Sequence, residues 1–123
     1  MSFTQSRDNR TVIAAADLSA NQFAMVKYDA AAKAAIVGAG EAALGVLTVP
    51  AKAGNACTVT VSGIVMVEVG TGGINLGESA ACNASGHVIL ATTGDVIVGT
   101  ALEAGAAANI IAMEISLANN IAT

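Results

Sequence analysis

The sequence predicts an all-β fold, a sandwich or a small barrel with at most one short helix. Short apolar runs alternate with clusters of glycine, asparagine, aspartate and serine at even spacing along the 123 residues, a pattern typical of small all-β domains. No stretch shows the sustained 3.6-residue apolar period of a long amphipathic helix. The longest alternating run, residues 57–69, predicts one strand around which the other strands are arranged.

Residues 57–69 read CTVTVSGIVMVEV, with apolar or small side chains at every odd position. The even positions are polar at first and turn apolar at Ile64 and Met66. A straight strand of this length would measure about 40 Å, so we expect a bend or bulge at Gly63. We expect the part after Gly63 to be covered on both faces, by the rest of the domain or by a neighbouring subunit. Met66→Glu should then disturb folding or assembly more than Thr60→Glu.

Four shorter strands are predicted before this run and four after it. Turn-forming residues separate them, and Pro50 ends the fourth strand because proline cannot donate to a central ladder. The glycine-rich link at residues 70–77, GTGGINLG, lacks the sequence of a phosphate-binding loop and is predicted to be a turn. The predicted strands are residues 12–15, 23–28, 35–37 and 43–49 before the run, and residues 78–82, 87–91, 96–102 and 110–117 after it.

An internal repeat is indicated by a shift of 54 residues, which aligns residues 21–62 with residues 75–116 without a gap. Seven of the 42 aligned positions are identical, and several of them are turn formers at the same strand boundaries. Such a pattern predicts one supersecondary unit used twice. The predicted organisation is an N-terminal arm (residues 1–11), a single β domain (residues 12–117) that contains both repeat halves, and a loose tail (residues 118–123). Residues 63–74 form a bridge without a counterpart in this alignment.

The composition favours a protein that assembles with other subunits. Hydrophobic residues make up 54% of the chain and charged residues only 11%, well below the usual share of about 25%. Aromatic residues make up 2%, so the core is built from small side chains that each bury little area. We therefore expect a homo-oligomer rather than a monomer.

Several classes of partner are disfavoured. The formal net charge is −4 and no cluster of lysine and arginine is present, so we expect neither nucleic acid nor a membrane surface as a partner. The two most apolar windows, residues 34–51 and 96–113, contain Glu41 and Glu103 and several glycines, which disfavours a membrane helix. The polar N-terminus lacks the apolar segment of a signal peptide, so none is expected.

No residue pattern points to catalysis, a metal or a cofactor, and we expect none of the three. His87 is the only histidine, and Cys57 and Cys82 lack the spacing of a zinc site. The two cysteines are interpreted as buried thiols, and His87 as a surface residue after a turn. No serine lies in a G-x-S-x-G elbow, and the carboxylates stand singly, as expected for solvated side chains.

The N-terminal arm admits two interpretations. A frayed terminus is common in small domains. Alternatively, the arm docks on a neighbouring subunit with Phe3 as its anchor, since phenylalanine is scarce in this chain and one of two lies here.

The order of motifs carries a resemblance to a known family. A strand ends in a Y-x-D-like turn at Tyr28, a glycine-centred strand follows in ALGVLTV, and AGNACTVTVSG supplies an alternating strand. The second half repeats the glycine-centred strand in VIVGTAL and closes on IIAMEIS, with Asn83 at the place of the Y-x-D turn. Over residues 20–117 the chain resembles the short capsid cement (decoration) proteins of tailed bacteriophages.

This resemblance implies a β-barrel or tulip-like domain that binds the outside of the phage head. The implied partner is the major capsid protein, whose subunits it would staple together, and the chain would act on the shell as a dimer or trimer. It would be made in the bacterial host cytoplasm and reside on the capsid exterior of the virion. The predicted contact residues are Phe3, Gln5, Arg7, Arg10, Ile64, Met66, Thr71, Ile74 and Asn75. The alternatives are another phage structural β-module, from a tail or baseplate, and a small-ligand-binding β-barrel.

Overall fold

The computed structural model describes residues 5–116 and residue 121, and its fold confirms the all-β prediction. The described residues form nine strands and no helix. Most strands fall within one to three residues of the predicted bounds, because alternation and turn residues mark them. The strands are β1 (Gln5–Ile13), β2 (Met25–Tyr28), β3 (Ala34–Ile36), β4 (Gly45–Val49), β5 (Ala56–Glu68), β6 (Ser79–Cys82), β7 (Val88–Leu90), β8 (Gly99–Ala101) and β9 (Ile110–Ile115).

One antiparallel sheet contains all nine strands, in the order β3-β2-β4-β5-β9-β8-β6-β7, with β1 also paired to β5. The sheet curls strongly, because parallel bridges join Ala14 to Ala34 and Val69 to Val88. The first bridge brings the end of β1 against β3, and the second brings the end of β5 against β7. Two small barrel-like halves result, which we call the first half (residues 5–62) and the second half (residues 64–116). Strand β5 passes through both.

The two halves repeat the same strand pairing. Strands β2, β3, β4 and β5 begin 54 residues before β6, β7, β8 and β9 respectively. The registers recur at the same spacing: Val26 lies opposite Ile36 as Ala80 lies opposite Leu90. The hairpin turns recur as well, because Asp29 and Asn83 each accept backbone hydrogen bonds from residues two and four positions later.

The structure corrects the predictions for the N-terminal arm and for the bridge. Residues 5–11 belong to strand β1, which pairs with the first part of β5. Residues 64–68 pair with β9 in the same way, so this part of β5 is the counterpart of β1 and does have an equivalent. The equivalence was hidden in the sequence because a backbone ladder needs no particular side chains, and the spacing here is 55 residues rather than 54.

The joint between the halves lies at Gly63, where the bend or bulge was predicted. Gly63 has a φ of +99°, which glycine adopts without a steric penalty. The pairing of β1 with β5 shifts at this point, from Ser6 opposite Gly63 to Asp8 opposite Ser62. Arg7 is therefore the extra residue of a β-bulge.

Each half has its own apolar core, and eight core positions match between the halves. Small residues fill them, as the composition predicts. The first core contains Val12, Ala14, Leu18, Val26, Ala34, Leu47, Cys57 and Val59. The matching residues of the second core are Val67, Val69, Ile74, Ala80, Val88, Ala101, Ile111 and Met113.

A seam joins the halves end to end, with the turn of the β6–β7 hairpin against the open base of the β2–β3 hairpin. Met25, Val37 and Val46 of the first half are buried in the core of the second half. Four backbone hydrogen bonds cross the seam: Met25 N–H to Gly86 C=O (2.7 Å), Gly40 N–H to Cys82 C=O (2.9 Å), Glu68 N–H to Phe23 C=O (3.1 Å) and Val96 N–H to Gly40 C=O (3.1 Å).

Close approach explains the glycine at the seam. A Cβ added at Gly86 would lie 2.7 Å from the carbonyl oxygen of Met25, and Gly86 also has a φ of +78°. The equivalent residue of the first half is Ala32, which is exposed because no turn or base packs against it.

The two faces of β5 differ from the prediction. Thr60 is only 1% exposed, and its hydroxyl donates to Asn9 Oδ1 at 2.7 Å. Met66 is half-buried, with its cross-strand neighbour Ala112 beside it. The sequence predicts that Met66→Glu is more disruptive than Thr60→Glu. The burial of these two residues reverses that expectation.

We expect Thr60→Glu to destabilise the fold more than Met66→Glu, because it buries a carboxylate and removes the hydroxyl that donates to Asn9. The cost for Thr60→Glu should be about 3 kcal/mol or more, measured by urea unfolding. An equal or larger loss for Met66→Glu would contradict this description of β5.

A second substitution tests the seam. Gly86→Ala should reduce the free energy of unfolding by about 1–3 kcal/mol, because overpacked contacts cost this much. The matched control is Gly54→Ala, since Gly54 has a similar φ of +82° and no heavy atom within 4 Å of an added Cβ. Equal losses in the two variants would mean that backbone strain alone acts at Gly86 and that the seam is not tightly packed.

Candidate functional site

The acidic side chains hold turns in place. The sequence predicts isolated carboxylates that face solvent. Instead, Glu78 accepts a hydrogen bond from Asn75 N–H (2.7 Å), and Asp95 accepts one from Thr92 N–H (3.0 Å). Glu41 accepts from Lys27 Nζ at 2.8 Å and from Gly38 N–H at 2.7 Å, and these bonds lower the pKa of Glu41 below its ordinary value. These carboxylates are therefore structural groups of the loops.

The nucleophilic and metal-ligating side chains do not converge. Cys57 donates its thiol to Val12 C=O at 3.1 Å, and burial raises the pKa of Cys82 to about 12, so neither is a ready thiolate. His87 was predicted to be a surface residue. It is half-buried, and its Nε2 lies 3.3 Å from Oε2 of Glu68. Within the part of the chain that the structure describes, no three His, Cys, Asp or Glu side chains form a metal-sized group.

Three of the four predicted contact residues of the N-terminal segment lie along β1. Phe3 lies outside the described residues. Gln5 pairs with Ile64, and Arg7 lies in the bulge. Arg10 is exposed, although it lies opposite the buried Val59. The β1 edge thus carries cationic residues next to the joint between the halves.

Ile64 and Met66 lie on the second part of β5 and are half-buried. Ile64 is flanked by Gln5 on β1 and Glu114 on β9. The neighbouring odd residues point into the second core, so Ile64 and Met66 lie on the opposite, outer face of the strand. The structure places Gln5 opposite Ile64. We use the name β1–β5 surface for the region that contains Gln5, Arg7 and Arg10 on β1 and Ile64 and Met66 on β5.

The predicted loop contacts separate into two groups. Thr71 and Asn75 are exposed and line an open cleft with Ile89 and Leu90. Ile74 is 4% exposed and belongs to the second core, so its prediction as a surface contact is wrong. Ile74 occupies the core position that Leu18 fills in the first half, which explains the apolar residue within a glycine-rich loop.

A larger shallow cleft lies beside this one. It has a volume of about 660 Å³, and six of its nine lining residues are glycine or alanine, from two loops within residues 72–75 and 104–109. It offers backbone groups and no cluster of charged or aromatic side chains. A cleft of this kind suits contact with another polypeptide better than capture of a small ligand.

The charges are distributed unevenly along the chain. All five lysine and arginine residues lie within the first 52 residues, whereas five of the nine acidic residues follow residue 53. The second half is therefore purely acidic apart from His87. The cationic residues are Arg7, Arg10, Lys27, Lys33 and Lys52.

Sequence reasoning missed the exposed apolar residues at the outer ends of the molecule. Leu76 is 67% exposed, and Leu90 and Tyr28 are each 44% exposed. The signal was present in the repeat alignment, which places Leu90 opposite Ile36. Ile36 packs against Gly86 at the seam. Its counterpart Leu90 is therefore a candidate for the same kind of contact with a partner.

No helix among the described residues is long and apolar enough to cross a membrane. Comparison with known proteins identifies a family of phage proteins. A family model described as "Phage cement protein" matches residues 4–116. No protein in a search of curated sequences matches.

The fold is similar to that of a solved phage structure. That structure is the crystal structure of the head fiber gp8.5 N base of bacteriophage phi29. The similarity has a TM-score of 0.73 and covers 92% of this chain and 97% of the other, at 14% sequence identity. At this identity the similarity shows a shared fold.

Proposed function

The chain belongs to the phage cement protein family, and we propose that it binds the outer surface of the phage head and stabilises contacts between major capsid protein subunits. The observation that carries this proposal is the family match over residues 4–116, nearly the whole described domain. The family makes the chain a phage structural protein. We assign it no catalytic role, since the family is structural.

The proposed mechanism is stapling. A subunit that contacts two capsid proteins adds interface area that must be lost before those proteins separate. Two modest contacts on one rigid body act together, because the second forms at a high effective concentration once the first is made. Internal rigidity is therefore the property that the fold must supply.

Strand β5 suits this mechanism. Its 13 residues run through both halves, so a covalent strand connects them. It pairs with β4 in the first half and with β9 in the second, and its ladder with β1 extends across Gly63 to Ile64. The seam adds four backbone hydrogen bonds between loops. Force applied to one half is passed to the other without a flexible linker.

The β1–β5 surface is one proposed contact with the capsid. Arg10 supplies an exposed cation, and Ile64 and Met66 supply half-buried apolar area. On β1, Gln5 lies opposite Ile64, and Arg7 lies in the bulge between Gln5 and Arg10. A central apolar patch with an arginine at its rim is the usual composition of a contact that dominates binding. Phe3 remains part of this proposal as a residue outside the described range.

The exposed loop residues Thr71 and Asn75 form a second proposed contact. They lie in the second half, next to the cleft with Ile89 and Leu90. Two contacts in different halves give the subunit the geometry of a staple. A dimer or trimer on the shell, made in the host cytoplasm with its capsid, completes the proposal.

The alternatives have less support. A tail or baseplate module would share the fold, but the matching family is described as cement. A ligand-binding barrel needs a hollow interior, whereas the interiors of both halves are filled by buried side chains.

Heads assembled without this chain should gain thermal stability when the purified protein is added. We expect saturable binding to expanded heads and a higher disruption temperature in scanning calorimetry, because bound protein stabilises the state that it binds. Heads that show no binding, or binding without a higher disruption temperature, would contradict the proposed function.

Arg10→Glu should weaken binding to these heads by about tenfold or more, which corresponds to about 1.4 kcal/mol. Lys52→Glu is the matched control, since it makes the same charge change at an exposed turn residue. Binding affinities are compared by co-sedimentation with heads. Equal weakening by both variants would show that only net charge matters and that the β1–β5 surface is not the contact.

A further inference from the structure

The seam shows what the base of a hairpin binds in this fold. At the base of β2–β3, Met25 N–H and Gly40 N–H donate to carbonyls of the β6–β7 hairpin. Phe23 C=O accepts from Glu68 at the same place, and the Ile36 side chain lies 3.3 Å from the Cβ position of Gly86. The seam therefore presents two backbone donors and one apolar side chain to a glycine-containing hairpin, and a backbone acceptor to the end of β5 beside it.

The second half presents the same base, and no turn among the described residues lies against it. The residues equivalent to Met25, Gly40 and Ile36 are Ser79, Gly94 and Leu90. Ser79 is half-buried, Gly94 is exposed and Leu90 is 44% exposed. Gly94 has no heavy atom within 4 Å of an added Cβ, in contrast to Gly40 at the seam. We call this surface the free base.

The free base has more polar side chains than the seam, but its backbone has positive φ angles at the same two positions. Ser79 and Thr100 replace Met25 and Val46, which suits a surface that is open before its partner arrives. Gly77 and Gly94 both have positive φ, as do Phe23 and Gly40, their counterparts at the seam. The backbone at these two positions thus keeps the left-handed conformation that it has at the seam, and a surface already in its binding conformation loses less free energy to ordering on binding.

A second copy of this chain does not fit the free base in the geometry of the seam. Its β6–β7 turn is already used in its own seam. Its β2–β3 turn carries Ala32 at the position of Gly86, where a Cβ lies 2.7 Å from a carbonyl oxygen at the seam. Its Tyr28 also replaces the smaller Cys82. Neither hairpin turn of a second copy is therefore the occupant in this geometry, which favours a turn of a different protein.

Charge indicates the surroundings of that turn. The second half has five acidic residues and no lysine or arginine. Opposite charge at the rim of an interface raises the association rate and selects the partner. A turn flanked by lysine or arginine is the complement of this half.

We propose that the free base, formed by Ser79, Leu90, Gly94 and Thr100, is a docking site for a glycine-containing β-turn with basic flanks on the shell protein. This proposal rests on the proposed function and names the surface and the partner's chemistry for one of its contacts. Thr71 and Asn75 border the same end of the molecule through the cleft that they share with Leu90.

The test uses Leu90→Glu with Tyr28→Glu as its control, because both residues are 44% exposed and they lie at opposite hairpin ends. Leu90→Glu should weaken binding to heads assembled without this chain by about tenfold or more, whereas Tyr28→Glu should bind like the wild type. Circular dichroism and the unfolding midpoint establish that both variants fold.

A photoreactive phenylalanine analogue at position 90 provides a second readout that does not depend on affinity. It should cross-link to the shell protein at a glycine-containing turn, and the same analogue at position 28 should not. Cross-links from position 90 to another copy of this chain, or wild-type binding by Leu90→Glu, would overturn the proposal. Failure of the wild-type protein to bind heads would instead contradict the proposed function itself.

Discussion

The structure depends on one strand that belongs to two barrels. In β5, the residues before Gly63 are the last strand of the first half, and the residues after it are the first strand of the second half. Val59 is buried in the first core and Val65 in the second. A single extended segment thus contributes to both cores, and the halves cannot move apart without breaking the pairing of β1 at Gly63 and Ile64 and the backbone hydrogen bonds of the seam.

This arrangement compensates for a core of small side chains. Valine and alanine bury little area each, and a half of about 55 residues would be marginal by itself. The seam enlarges the second core with Met25, Val37 and Val46. The contact is asymmetric, because the tip of one hairpin meets the base of the other. Each half consequently leaves one hairpin end uncovered, and these ends are where the exposed Tyr28 and Leu90 lie.

Much of the fold could be predicted from the sequence, because alternation and turn residues are local signals. The run at residues 57–69 predicted β5 and the irregularity at Gly63. The equivalence of β1 with residues 64–68 could not be predicted, since backbone pairing leaves almost no side-chain signature. Burial of Ile74 and Thr60 was also missed, because it depends on which loop or strand packs above each residue. Likewise, the roles of Glu41 and Asp95 depend on backbone N–H groups that no sequence pattern displays.

In the proposed function, one rigid subunit contacts the shell through two surfaces, the β1–β5 surface and the free base. The β1–β5 surface carries Arg7 and Arg10 near the joint, and the free base lies in the second half, which has no lysine or arginine. A reconstruction of heads carrying this protein, from electron cryomicroscopy, tests this account most directly. The account predicts density for the domain on the outer surface of the shell, with the Leu90 end against a turn of one capsid subunit and β1 against another. Density on the tail, or a domain attached to a single capsid subunit with the Leu90 end facing solvent, would contradict it.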